Sequence, residues 1–207
     1  MRLFELHADD DRVRHLAAAD PYMARLTALI GTITFGKRGD LFGSLAKSLV
    51  AQQLSVKAAA TIVRRVGEVC GEWTPEALLA APEEGLRAAG LSKQKLGYIQ
   101  GLAQAVLRKE LDDEALRNMS DEEAIAALTK VKGIGRWTAE MFLIFSLGRE
   151  DVLSLGDAGL RRAARWLYAE REGDVDLAQL GEKWRPYRSI ASFYLWEAVN
   201  RDLVLEK

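Results

Sequence analysis

A glycine-containing turn separates two apolar stretches in the segment VKGIGRWTAEMF, residues 131–142. Gly133 and Gly135 both permit a positive φ, and neither carries a side chain that would block a close approach. The turn therefore exposes backbone N–H groups beside those of the next helix, where Lys132 and Arg136 add positive charge. This combination predicts a phosphate-binding site. The alternative is a tight helix–helix connection in which a glycine caps the first helix.

The turn lies in a chain whose apolar spacing predicts one helix after another. Asp20 before Pro21 is typical of an N-cap with proline in the first turn. Ser120 and Glu123 form the pattern of a capping box. Elsewhere, apolar residues recur every three or four positions, as in amphipathic helices. The predicted helices cover approximately residues 21–30, 41–54, 55–69, 75–80, 92–110, 120–131, 136–147, 158–169 and 189–201.

These helices predict an all-α fold. Only TITF, residues 32–35, resembles a strand, and four residues do not establish one. The 207 residues fit one domain, or two lobes that share a core. The predicted helix over 92–110 has one apolar face, made of Leu96, Ile99, Leu102, Ala103, Val106 and Leu107.

The composition favours a globular protein of a reducing compartment. The chain is 49% hydrophobic and 29% charged, which argues against disorder. It contains no apolar run of about 18 residues and no signal-peptide pattern, so we expect a soluble, cytoplasmic protein without a membrane segment. The single cysteine, Cys70, excludes an internal disulfide and a cysteine metal cluster.

Charge is unevenly distributed, although 29 basic residues nearly balance 30 acidic ones. Seven acidic residues lie within 110–123. Any one such run is typical of a solvated helix face, and a polarised binding surface becomes the better interpretation where a binding motif joins it. The basic residues fall in two runs, the first made of Lys37, Arg38, Lys47, Lys57, Arg64 and Arg65, the second of Arg161, Arg162, Arg165 and Arg171.

Five segments, in order from about Asp20 to Val199, resemble the helix-hairpin-helix DNA glycosylase superfamily, in its 3-methyladenine DNA glycosylase II branch. LTKVKGIGRWTAEMF is similar to the hairpin itself, and DVLSLGDAGLRRAARWL to the segment with the catalytic aspartate, at Asp157. SLVAQQLSVKAAATIVRRV is similar to the DNA-intercalating loop and the helix after it. LSKQKLGYIQGLAQAV and WRPYRSIASFYLWEAV resemble the helix before the hairpin and the C-terminal helix.

The resemblance implies a single domain over 1–207 with two lobes and the active site in the cleft between them. The central lobe would cover about 41–149, and the second lobe about 1–40 and 150–207. Bifunctional members carry a Schiff-base lysine at the position of Trp137, whose indole cannot form an imine. One cysteine cannot supply the four-cysteine iron–sulfur motif of other members. The implied activity is therefore monofunctional removal of alkylated purines in base excision repair, without AP-lyase activity.

Asp157 is the implied catalytic residue. Breaking an N-glycosidic bond passes through a sugar with oxocarbenium character, which a nearby carboxylate stabilises. The same carboxylate could orient or deprotonate the attacking water. The alternative is that Asp157 only caps the following helix, and the two roles are compatible because a helix N-terminus favours a negative charge.

The resemblance places pocket aromatics at Trp137 and Trp196. An indole face suits a cationic alkylated purine through cation–π attraction, whereas the alternative for each tryptophan is core packing. Met141 stands where some relatives have a tyrosine, and Ala158 follows Asp157. Both differences suggest a roomier, less aromatic pocket and weaker substrate selectivity.

A base must leave the duplex to reach such a pocket, and the loop AQQLS offers Gln53 or Leu54 as the wedge that fills the gap. The alternative for these residues is a polar helix end. The DNA-binding residues implied at the hairpin are Lys132, Gly133, Ile134, Gly135, Arg136 and Thr138.

The resemblance also implies a monovalent cation, sodium or potassium, on the backbone carbonyls of Thr129, Val131 and Ile134. No cofactor is expected to be required. The expected partner is double-stranded DNA with alkylated bases, bound by a monomer in the cytoplasm, associated with the nucleoid. Two rival functions remain: a non-catalytic DNA-binding module that uses the same hairpin, and a helical adaptor for other proteins, which would leave the hairpin glycines unexplained.

Overall fold

The computed structural model describes residues 3–36, 39–170 and 175–204, and within them the expected all-α class is confirmed. Lys37, Arg38 and Arg171 of the basic runs lie outside the described residues. The strands are β1 (Leu3–Leu6) and β2 (Ile33–Gly36). The helices are α1 (Asp11–Ala19), α2 (Pro21–Ile30), α3 (Leu41–Ala51), α4 (Val56–Cys70), α5 (Pro75–Ala80), α6 (Glu83–Ala88), α7 (Lys93–Leu107), α8 (Asp113–Asn118), α9 (Asp121–Thr129), α10 (Arg136–Phe142), α11 (Ala158–Leu167), α12 (Leu177–Lys183) and α13 (Arg188–Asn200), with a π-helical turn (Leu143–Leu147) directly after α10.

The chain divides into two compact units. The first is Arg38–Phe142, here the hairpin unit, and it contains α3 to α10. The second combines Met1–Lys37 with Leu143–Lys207, here the aspartate unit. The π-helical turn therefore belongs to the aspartate unit. Among the described residues, every helix is too short or too polar to cross a lipid bilayer.

In the hairpin unit, α7 is the central helix and packs against α3 and α5. Its predicted apolar face is confirmed for the four residues Leu96, Ile99, Leu102 and Ala103, which are buried. The prediction was wrong for Leu107, which is 45% exposed because it lies at the C-terminal end of α7.

In the aspartate unit, β1 pairs with β2 in antiparallel register, with Leu6 opposite Ile33. The strand-like TITF segment is thus part of a real two-stranded sheet, while β1 was not predicted. Around this sheet, α13 packs against α2 and α11. The buried Tyr168 hydroxyl donates to the Asp20 carboxylate at 2.6 Å, which ties the end of α11 to the start of α2.

Helix starts follow the predicted caps. Asp20 accepts a hydrogen bond from the Tyr22 amide at 2.9 Å, and both halves of the Ser120–Glu123 capping box are present. Each cap satisfies N–H groups that have no acceptor inside their own helix. The short helices α1, α6, α8 and α12, of six to nine residues, were not predicted.

Candidate functional site

Glycine occurs at positions 133 and 135 of the hairpin for different structural reasons. Gly133 has a φ of +96°, and a Cβ there would lie 2.4 Å from the ring of Tyr98 on α7. Gly135 does not adopt the positive φ that glycine permits. A Cβ at Gly135 would meet nothing within 4 Å. The turn itself therefore needs glycine at 133, whereas glycine at 135 keeps the outer surface of the turn open to a bound group.

The hairpin main chain supplies fewer donors than the sequence suggested. The Ile134 amide donates to the Val131 carbonyl at 3.0 Å, and the Ile134 side chain is buried. Ile134 therefore cannot give its N–H to a phosphate. Thr138 is also buried. The remaining main-chain donors are those of the first turn of α10, which by geometry have no acceptor within the helix.

Lys132 and Arg136 differ in how their charges are used. Lys132 is exposed. Arg136 donates to both carboxylate oxygens of Glu122, at 3.0 and 2.6 Å, and to Glu140 at 2.9 Å. The guanidinium hydrogen bond lowers the pKa of Glu122 below its usual value. Arg136 is thus already bound by carboxylates, and its role beside a phosphate stays a prediction.

Trp137 and Met141 are both on α10 but differ in exposure. Trp137 is 50% exposed, which excludes core packing as its main role. Met141 is buried. Half of the Trp137 side chain is therefore at the surface of the hairpin unit.

The loop between α3 and α4 is exposed and contains a strained residue. Gln53 has a φ of +58°, a left-handed conformation that costs a non-glycine residue roughly 1–2 kcal/mol. Leu54 is 38% exposed, and Val56, which opens α4, is 89% exposed. Gln53 and Leu54 are thus both exposed, and their role as a wedge stays a prediction. Val56 was missed, since an apolar residue in a predicted amphipathic helix gives no sign of exposure.

Two residues that were not predicted hold this loop. The Lys95 ammonium on α7 donates to the carbonyls of Val50 and Gln52, both at 2.7 Å. The Gln52 side-chain amide donates to the carbonyl of Gly133 in the hairpin at 2.9 Å. Burial lowers the pKa of Lys95 below its usual value.

In the aspartate unit, Asp157 is a buried carboxylate, 8% exposed. It is the N-cap of α11, and its Oδ1 accepts from the Leu160 amide at 2.8 Å. The same oxygen accepts from the indole Nε1–H of Trp196 at 3.1 Å. A Cβ at Gly159 would lie 3.1 Å from Oδ1, so glycine there keeps space beside the carboxylate. The capping role and a bond to a predicted pocket residue are therefore both present.

Trp196 joins the carboxylate to a group of aromatic rings. Its ring stacks on Phe145, with centroids 5.6 Å apart. Phe193 contacts both rings and lies 3.9 Å, centroid to centroid, from Phe35. The three phenylalanines were not singled out from the sequence, because single aromatic residues on predicted helices and strands are typical of any core. These aromatic rings nevertheless form a continuous cluster next to the Asp157 carboxylate.

The carbonyl groups expected to bind a monovalent cation lie in and just before the hairpin turn. The Val131 carbonyl accepts one hydrogen bond, from Ile134, and a carbonyl oxygen has a second lone pair. Thr129 ends α9, where carbonyls have no partner within the helix. This donor set consists of neutral oxygens and fits a hard, singly charged ion. Among the described residues, no three His, Cys, Asp or Glu side chains are grouped so that they could hold a metal ion.

Together these features define a helix-hairpin-helix protein with a buried, hydrogen-bonded aspartate. Residues 46–186 match the family described as HhH-GPD superfamily base excision DNA repair protein. The match covers more than half of the chain, which therefore belongs to this family.

Named relatives agree with the family match. DNA-3-methyladenine glycosylase 1 of Schizosaccharomyces pombe is 33% identical over 192 residues, which is 88% of this chain and 84% of that protein. The crystal structure of DNA-3-methyladenine glycosidase from Bacillus halodurans has a TM-score of 0.87 and 41% identity, covering 98% of this chain and 94% of that chain. The S. pombe 3-methyladenine DNA glycosylase Mag1 in complex with abasic DNA has a TM-score of 0.78 and 31% identity, covering 95% of this chain and 99% of that chain.

Proposed function

We propose that this protein is a monofunctional DNA glycosylase that hydrolyses the N-glycosidic bond of alkylated purines, such as 3-methyladenine and 7-methylguanine, in base excision repair. The observation that carries the proposal is the Asp157 carboxylate. It is buried, fixed by an amide and an indole N–H, and occurs in a chain of the HhH-GPD superfamily. The names of the S. pombe and B. halodurans relatives support the alkylated base as substrate.

Asp157 acts on the sugar rather than on the base. An alkylated purine carries a positive charge and leaves readily, so the reaction needs little general acid. As the bond breaks, positive charge develops on the sugar, and a fixed carboxylate stabilises it without reorganisation. The two donors on Oδ1 hold the group in one orientation. The carboxylate also aligns, and accepts a proton from, the water that attacks the sugar.

The tryptophans favour a cationic base. Trp137 is half exposed on the hairpin unit, and Trp196 stacks with Phe145 beside Asp157. Electron-rich rings attract a methylated, positively charged purine more than a neutral one. Met141 in place of a tyrosine leaves the pocket less aromatic and its selectivity broader.

The hairpin unit binds the duplex. The exposed Lys132, the open surface at Gly135 and the first turn of α10 contact a phosphate of the DNA backbone. Gln53 or Leu54 fills the space left by the extruded base. The carbonyls of Thr129, Val131 and Ile134 would hold a sodium or potassium ion, which would supply positive charge beside the bound phosphate.

The enzyme does not cut the strand, because Trp137 occupies the position at which bifunctional relatives carry a Schiff-base lysine. It needs no cofactor and no iron–sulfur cluster. It works as a monomer in the cytoplasm, on the DNA of the nucleoid, without a membrane. The competing function is a non-catalytic DNA-binding module, in which Asp157 would act only as the cap of α11.

The test is direct detection of freed base. The protein is incubated with a duplex treated with a methylating agent, and the released bases are identified by mass spectrometry. We expect 3-methyladenine and 7-methylguanine in solution, and strands that remain uncut on a denaturing gel until alkali is added. A folded protein that binds the duplex and releases no base would be the non-catalytic module instead. Strand cleavage without alkali would contradict the monofunctional assignment.

A further inference from the structure

The loop between α3 and α4 is connected to two other segments of the hairpin unit by side-chain hydrogen bonds. Lys95, near the start of α7, binds the carbonyls of Val50 and Gln52. Gln52 binds the carbonyl of Gly133. These contacts link residues that are 43 to 81 positions apart in sequence. They do not belong to any regular helix or sheet pairing.

The chemistry of the contacts explains their strength. The last carbonyls of a helix have no amide partner within it, and the C-terminal end carries a partial negative charge. The Lys95 ammonium at the end of α3 donates hydrogen bonds to the unpaired carbonyl oxygens and balances the partial negative charge of the helix end. Hydrogen bonds with one charged partner are about twice as strong as neutral ones. A half-buried Lys95 is therefore a firm support for the last turn of α3.

Helix α7 also contacts the hairpin turn. Tyr98 lies one turn after Lys95 on α7, and its ring lies where a Cβ of Gly133 would be. The Gly133 peptide is thus confined by Tyr98 and bound by Gln52. One face of α7 therefore holds the loop between α3 and α4 (residues 52–55, here the wedge loop) through Lys95, and it holds the hairpin turn through Tyr98.

We propose that Lys95 and Gln52 are positioning residues that fix the wedge loop at a set distance from the phosphate-binding hairpin. The inference rests on the proposed function, since a wedge has a role only where a base is extruded. Gln53 follows Gln52 directly and is held in the left-handed conformation that turns its side chain and that of Leu54 outward. When the hairpin holds a phosphate, the loop is then already placed to enter the base stack beside it.

The competing explanation is that Lys95 only stabilises the fold. In that case its loss would lower the melting temperature and slow base release equally from every substrate. A positioning role predicts a selective loss instead, because single-stranded DNA has no stack for the wedge to enter. The ratio of the release rates from duplex and single strand therefore separates the two explanations.

The experiment measures single-turnover release of 7-methylguanine from one sequence as duplex and as single strand. Lys95→Met keeps the length of the side chain and removes its donors, while Gln52→Ala removes only the bond to Gly133. We expect each variant to release base from duplex at least about 10-fold more slowly, with release from single strands within about 2-fold of wild type, since misplacement of a positioning group costs rate. Lys95→Arg keeps a cationic donor and should restore most of the duplex rate. Lys93→Met, an exposed lysine on the same helix, is the matched control and should leave the ratio unchanged.

A second readout does not depend on catalysis. Each variant is bound to a duplex that carries 2-aminopurine beside an abasic-site analogue, and the fluorescence gain reports unstacking by the wedge. Lys95→Met and Gln52→Ala should lose most of the gain at saturating protein, whereas Lys93→Met should keep it. If wild type releases no base, the proposed activity fails, and this fluorescence still decides the positioning role. An unchanged duplex-to-single-strand ratio, or an unchanged fluorescence gain, in folded Lys95→Met and Gln52→Ala would overturn the inference.

Discussion

The hairpin unit and the aspartate unit hold their functional groups in opposite ways. In the hairpin unit, the candidate contacts to DNA at Lys132, Gln53 and Leu54 are exposed, and each lies in a short connection between two helices. In the aspartate unit, the candidate catalytic carboxylate is buried and accepts a hydrogen bond from an indole 39 residues away in sequence. Local sequence therefore places the functional groups of the hairpin unit, whereas contacts distant in sequence place the carboxylate of the aspartate unit.

The difference follows from what each group must do. A phosphate is bound from solvent by groups that remain hydrated until contact, so a local turn with open space is sufficient. A carboxylate that stabilises a short-lived positive charge must be shielded from water, and a shielded charge needs hydrogen-bond donors from the surrounding fold. Substitutions in the aspartate unit should therefore change the rate of chemistry, and those at the hairpin should change DNA affinity.

The largest expected effect is that of Asp157→Asn. Asparagine caps a helix about as well as aspartate, so the thermal melt should stay close to that of wild type. Without the negative charge, single-turnover release of 7-methylguanine should fall at least ~10²-fold, the scale for one lost electrostatic stabiliser. Affinity for undamaged duplex should stay the same or rise slightly.

Asp176→Asn provides a matched control for this substitution. Asp176 caps α12 of the same unit by accepting from the Ala178 amide, and it is exposed. Its replacement should leave base release at the wild-type rate. If Asp157→Asn folds and releases base as fast as Asp176→Asn, then Asp157 is a helix cap alone.

The second effect concerns the stability of the hairpin. Gly133→Ala introduces a side chain at a φ of +96° and within 2.4 Å of Tyr98, so the free energy of unfolding should fall by about 2 kcal/mol or more. Gly135→Ala meets open space and should leave stability nearly unchanged, yet it should weaken duplex binding by occupying the surface that a phosphate approaches. Both expectations are checked by measuring denaturant unfolding and duplex affinity for each variant. Equal loss of stability at both positions would contradict the open space at Gly135, and wild-type duplex affinity in Gly135→Ala would mean that this surface has no role in binding.

The third effect tests the indole that binds Asp157. Trp196→Phe keeps an aromatic ring against Phe145 but removes the Nε1–H donor to the carboxylate. A hydrogen bond to a charged group contributes roughly 1.5–3 kcal/mol, so base release should slow by about 10-fold or more. Trp166→Phe, elsewhere in the same unit, should have no such effect on rate. A wild-type rate in Trp196→Phe would show that the Leu160 amide alone is enough to orient Asp157.

The parts of the molecule that could be predicted from sequence are those with local signals. Helices with caps such as Asp20 and Ser120, and the turn at Gly133, depend on residues within a few positions of each other. Leu107 was misassigned because periodicity alone does not show where a helix ends relative to its neighbours.

The missed features of the candidate site are contacts between residues far apart in sequence, competing charges, and the exposure of single apolar or aromatic side chains. Lys95 reaches carbonyls more than 40 residues earlier in sequence, and no local pattern indicates such a contact. The pairing of Arg136 with Glu122 was missed because the two residues are 14 positions apart, whereas the pairing with Glu140 has the local i,i+4 spacing of a helix. The exposure of Trp137 could not be read from its helix, where a tryptophan is equally typical of a core.

The fourth effect compares the two cations beside the hairpin. Lys132→Ala should reduce the slope of log affinity against log salt concentration by about one unit, as expected for one lost phosphate contact. Arg136→Ala should reduce the slope by clearly less, because Glu122 and Glu140 already bind its guanidinium. Duplex affinity at four or more salt concentrations measures both slopes. An equal reduction in the two variants would mean that Arg136 leaves its carboxylates when DNA binds.

The smallest expected effect is that of Glu122→Gln, which weakens the pairing of Arg136 without removing the cation. The ion pair is exposed, so its loss should lower the free energy of unfolding by no more than about 1 kcal/mol at neutral pH. Because Arg136 lowers the pKa of Glu122 below 4.5, this contribution is complete above pH 4.5 and is lost as the pH falls through the lowered value. The stability difference between wild type and Glu122→Gln should therefore shrink in acid and be full at neutral pH, as measured by urea unfolding across that range. The released guanidinium should also steepen the salt dependence of duplex binding, by less than one unit. A stability difference that stays constant as the pH falls through this range would show that Glu122 acts through its shape and not through its charge.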